Sequence, residues 1–128
     1  MQDETFAITN TTKGTLPRVP FAKIKEAALG KNYSLSLVFI GERRSRRLNN
    51  SYRQKDKPTN ILSFPYDKKS GEIFITPKVA MRQMKEFGRS YDNFIAFLFI
   101  HGLMHLKGFD HGSRMERAEE KLRKQFSI

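Results

Sequence analysis

The chain has 128 residues, enough for one domain with a real apolar core, and it contains no cysteine. That excludes a disulfide framework, a Cys-based zinc finger and a thiol nucleophile, suits a reducing cytosol, and leaves nitrogen and oxygen as the ligands for any metal. The formal net charge of +11 points to a polyanionic partner, nucleic acid or an anionic membrane surface.

The opening segment, MQDETFAITNTTKG, is acidic and polar, unlike a signal peptide. Within it, TFAITN alternates weakly and reads as a strand. VPFAKIKEAALGK carries Phe21, Ile24, Ala27 and Leu29 at helical spacing and stops at Gly30. YSLSLVFI, Tyr33 to Ile40, alternates and then turns wholly apolar, as a central strand does. ERRSRRLNNSYR follows as a helix with Leu48 and Tyr52 facing inward among arginines. NILSF lies between Pro58 and Pro65, which suits a sheet-edge strand. GEIFIT is a further strand after a turn at Ser70-Gly71. PKVAMRQMKEFG reads as a helix with proline in its first turn and Gly88 at its end. YDNFIAFLFIHGLMHLKG is apolar nearly all round and is therefore a buried helix. Its apolar run, Phe94 to Leu106, falls short of the roughly 18–20 residues that span a bilayer, so a soluble, cytoplasmic protein is expected. SRMERAEEKLRKQF closes the chain as a charged helix. The expected fold is α+β: one domain over residues 1–128, a small mixed four-stranded sheet packed with about five to six helices.

All three histidines fall within HGLMHLKGFDH, residues 101–111. On a helix His101 and His105 lie one turn apart and project toward a common point. Gly108 can take a left-handed conformation and turn the chain back, which lets His111 complete a three-nitrogen set. The frame matches that of one class of zinc proteases, except that Gly102 stands where the glutamate base would be. Three neutral ligands leave a fourth tetrahedral position open and preserve the ion's full charge, which favours anions. Gly102 either clears space beside the metal for a phosphodiester or allows a close helix–helix contact. Both readings stay open.

Residues 42–57, ERRSRRLNNSYRQKDK, hold seven Arg or Lys against two acids. Guanidinium groups match phosphate oxygens bidentately, so Arg43, Arg47, Lys55 and Lys57 are candidates for RNA contact. A solvated helix face is the plainer account of several of Arg43, Arg44, Arg46 and Arg47. Arg53 and Lys55 are expected past the helix, in a loop entering the edge strand.

Together, LNNSYRQKDKPTNILSFP and HGLMHLKGFDH resemble the YbeY family of bacterial rRNA maturation factors, over about two-thirds of the chain from residue 35 onward. The resemblance implies a metal-dependent endoribonuclease with a small α+β fold. It places one zinc ion per chain on His101, His105 and His111, with Arg53 as a catalytic arginine facing it. The implied substrate is single-stranded ribosomal RNA, notably the 3′ end of the small-subunit RNA, with a part in ribosome quality control and ribosome-associated proteins as partners. Two features depart from the family pattern. Gly71-Glu72-Ile73 replaces Gly-Asp-Ile, and the segment between Tyr66 and Gly71 is short. Glu72 and Asp110 are the acids considered as a base or as orienters of a ligand histidine. A ribosome-assembly factor with a structural zinc, and a metalloprotease, are the alternative functions.

Overall fold

The computed structural model describes residues 5–128. The elements are β1 (Phe6–Asn10), α1 (Phe21–Leu29), β2 (Ser34–Phe39), α2 (Glu42–Arg53), β3 (Ile61–Asp67), β4 (Ser70–Ile75), α3 (Pro77–Gln83), α4 (Tyr91–Leu106) and α5 (Ser113–Gln125). One sheet runs in the order β1-β2-β4-β3. β1 and β4 both pair with β2 in parallel, and β3 returns antiparallel along β4. The α+β expectation holds, with β2 inside the sheet and β3 at its edge. Among the described residues there are five helices, and none is long and apolar enough to cross a membrane.

Period-two alternation assigns the strand residues to two faces. Leu35, Leu37, Phe39, Ile61, Ile73 and Ile75 join the main core with α1 and α4. Val38, Ile40, Leu62 and Phe74 form a smaller cluster on the other face, flanked by Leu48 and Phe64. Helix α4 runs through the main core and buries ten of its sixteen residues, among them Phe94, Phe99, Ile100 and Leu103.

Three local expectations are corrected. The α2 face turned inward is Ser45 and Asn49, whereas Tyr52 is 64% exposed. The neighbour of that face is the backbone of residues 57–59, which needs hydrogen bonds rather than apolar cover. Ser45 Oγ donates to Thr59 O (3.0 Å) and accepts from Thr59 N (2.9 Å), while Asn49 Nδ2 donates to Lys57 O (2.9 Å). Arg53 is the last residue of α2 rather than part of the loop, and the chain leaves the helix at Gln54 with φ of 56°. Helix α3 ends at Gln83, and residues 84–88 descend in successive tight turns to Gly88.

Gly102 is buried against the sheet. A Cβ there would stand 2.8 Å from Ile61 Cδ1, 2.9 Å from Ser63 Oγ and 3.1 Å from Ile73 Cδ1. The glycine therefore serves a close helix–sheet approach, and neither room at the metal nor a helix–helix contact explains it. Gly102→Ala gains about 1 kcal/mol of helix propensity and meets an overpacking cost of about 1–3 kcal/mol. The expected net result in urea unfolding is a loss on the order of 1 kcal/mol, with metal binding unchanged. A stabilised variant that bound metal poorly would restore the site-clearing role.

Candidate metal centre

Helix α4 starts at Ser90, whose hydroxyl accepts from the amide of Asn93 at 3.2 Å. It ends where Gly108, at φ of +100°, takes a conformation that side chains rarely adopt. The amides of Gly108 and Phe109 close on the carbonyls of His105 (3.0 Å) and Met104 (3.1 Å). The reversed chain brings His111 back beside the helix. The His101 and His105 ring centroids are 4.6 Å apart, and those of His105 and His111 are 4.8 Å apart. One ligand nitrogen from each histidine lies within 4.8 Å of the other two.

The spacing of the two helical histidines fits a tetrahedral ion, and His111 is near enough to join them. His101 Nε2 and His105 Nε2 lie 3.1 Å apart, against about 3.3 Å for two nitrogens each roughly 2.0–2.1 Å from one tetrahedral zinc. His101 Nδ1 lies 2.5 Å from Glu119 Oε1. That carboxylate is only 8% exposed, and its other oxygen lies 3.7 Å from Arg123 Nη1. A carboxylate on Nδ1 holds the proton there and leaves the Nε2 lone pair facing the other histidines, the usual second contact of a metal-binding imidazole. Burial lowers the pKa of His105, and the charges of His101, His111 and Arg53 act in the same direction against Glu119. His105 is thus held as the neutral ring that a metal requires.

These residues line an open groove of about 1160 Å³ that runs along β3. Arg53 enters it from the end of α2, and beside it Tyr52 packs on Phe64 with ring centroids 4.8 Å apart. Asp110 lines the groove and is exposed. Glu72 does not line it. Its carboxylate accepts from the Tyr66 hydroxyl at 2.5 Å, a bond that pushes the Tyr66 pKa up to about 12. Lys55 and Lys57 line an adjoining cleft. Arg43 and Arg47 are exposed on α2 and line neither cavity.

The residue that reading the sequence passed over is Glu119. Its signal was present, because α5 buries Met115, Glu119 and Leu122, an acid on an otherwise apolar stripe. A carboxylate at such a position needs a partner.

A family model described as endoribonuclease YbeY matches residues 2–127. The chain belongs to the YbeY family. Endoribonuclease YbeY of Heliobacterium modesticaldum is 35% identical across 84% of this chain and 78% of its own length. Those of Burkholderia lata and Aquifex aeolicus are 36% and 38% identical, across 88% and 71% of this chain and 69% and 65% of their own lengths. The solution structure of TM1509 from Thermotoga maritima shares the fold, with a TM-score of 0.67 at 23% identity over 95% of this chain and 91% of that one.

Glu119→Gln keeps the shape of the side chain and removes its charge. It is expected to weaken zinc binding about 10–100-fold in competition with a chromophoric chelator. An unchanged affinity would remove Glu119 from the site.

Proposed function

We propose that the endoribonuclease activity of this family is carried here by one zinc ion on His101, His105 and His111, with Arg53 as the catalytic arginine. The observation that carries the reading is the meeting of three nitrogen donors and a guanidinium in one open groove. When bound, the ion supplies Lewis acidity, withdrawing charge from a phosphoryl oxygen and making water a stronger nucleophile at neutral pH. The protein's own groups do the remaining work. Glu119 fixes the His101 tautomer. Arg53 binds the phosphodiester and offsets the charge that builds on its oxygens. Tyr52, exposed on top of Phe64, offers a face on which an unpaired base can stack, in keeping with a single-stranded substrate.

The substrate we favour is ribosomal RNA, in maturation of the small-subunit 3′ end and in ribosome quality control, with ribosome-associated proteins as partners and the cytoplasm as location. The net charge of +11 supports a polyanionic substrate. The packing of Gly102 on Ile61, Ser63 and Ile73 counts against a peptidase. A glutamate side chain at that position would collide with Ile61 and Ser63 at its first carbon.

Elemental analysis of wild type should give near one zinc per chain, and His105→Ala should lose it. Arg53→Ala should keep the metal and cut single-stranded RNA about 10²–10³-fold more slowly. Normal cleavage by Arg53→Ala would sink its assignment. Zinc-loaded wild type that binds RNA without cutting it would instead favour an assembly factor whose metal is structural.

A further inference from the structure

Beside the groove lies a second cleft of about 460 Å³. Arg53, Thr59 and Asn60 line both cavities, so the two adjoin at these residues. Lys55, Lys57 and Arg82 line the cleft with Arg53, and no carboxylate is among its lining residues. Its apolar side chains are Pro58 and Val79, set among polar and cationic neighbours.

The wall that carries the two lysines is fixed rather than loose. Ser45 and Asn49, both fully buried, hold the backbone of Thr59 and Lys57 by the three bonds described above. The one acid of that loop, Asp56, is taken up by Arg46 in a two-pronged pair of 2.7 and 2.9 Å. Asn60 Nδ2 donates to Gln83 Oε1 at 2.8 Å and ties the loop to α3. The cations are thus presented on a pre-organised backbone, with the local acid already neutralised. Among the described residues, Glu42 competes for them through its 2.5 Å ion pair with Arg82 Nη1.

We propose that this cleft is a phosphate subsite for the same RNA strand that lies in the metal groove. The inference rests on the RNA-cutting reading. Lys57 and Arg82 grip a phosphodiester at least one nucleotide away from the metal, and Arg53 stands at the junction of the two cavities. Such contacts are sequence-independent and strengthen the hold on a strand long enough to cross Arg53.

The test is the affinity of the zinc-loaded protein for a single-stranded 2′-O-methyl RNA oligonucleotide, measured across a range of salt concentrations. Each phosphate contact to a single strand contributes about 0.7 to the slope of log affinity against log salt. Lys57→Ala and Arg82→Ala should each flatten that slope by about 0.7 and weaken binding several-fold. Glu42→Gln breaks the same ion pair as Arg82→Ala but frees the guanidinium, so it should tighten binding. If the ion pair matters only for structure, Glu42→Gln and Arg82→Ala will shift affinity in the same direction, and the subsite is overturned. Unchanged slopes in the lysine and arginine variants overturn it as well. A wild type with no salt-dependent affinity for the strand would overturn the RNA reading itself, and the subsite with it.

Discussion

Much of this structure follows from how near α4 lies to the sheet. At Gly102 the helix backbone approaches β3 and β4 so closely that even a methyl group would collide with Ile61 and Ser63. That contact sets the rotation of α4 about its own axis. With residue 102 pressed on the sheet, residues 101 and 105 are turned to the flank, where the groove passes between the edge strand and α5. One packing constraint thus completes the core and aims two histidines. It also accounts for the glutamate missing from the histidine frame, because a side chain at position 102 would collide with Ile61 and Ser63.

The features that could be read from the sequence were those with a strong period or an unusual residue count. Alternation in SLSLVF identified an inner strand, and the prolines around NILSF marked an edge. The three histidines, confined to eleven positions, marked the cluster that the fold brings together and that could hold a metal ion. Apolar periodicity on α2 was right for Leu48, which packs against the smaller apolar cluster, and wrong for Tyr52, which is exposed. The most buried face of that helix meets a run of loop backbone, and a backbone is covered by Ser45 and Asn49 rather than by an aromatic ring. Length alone could not show that α3 would unwind after Gln83, since residues 84–88 continue its polar and apolar mixture.

Glu119 belongs to a different kind of omission. Proximity in sequence favoured Asp110 and Glu72, but the acid that meets His101 comes from eighteen residues away, on the next helix. The local pattern did hold the information. A carboxylate between Met115 and Leu122 on the buried stripe of α5 is costly unless something pairs with it. The same reasoning sorts the many arginines of α2. Arg46 is spent on Asp56 and Arg44 lies over the Phe74 ring, whereas Arg53 reaches the groove. High charge pointed to a polyanion in general, and the folded geometry sorts the charges that are already paired from the one that reaches the groove.

The position of β3 at the sheet edge has a chemical consequence of its own. Its hydrogen-bonding partner lies on one side only, and residues 61–65 line the groove. A chain lying there meets main-chain amide and carbonyl groups that no neighbouring strand has claimed. Such groups offer both donors and acceptors, and short of proline, which already removes the amide at residue 65, no side-chain substitution deletes them. A ligand that used this edge would be recognised through the peptide backbone, largely beyond the reach of side-chain change.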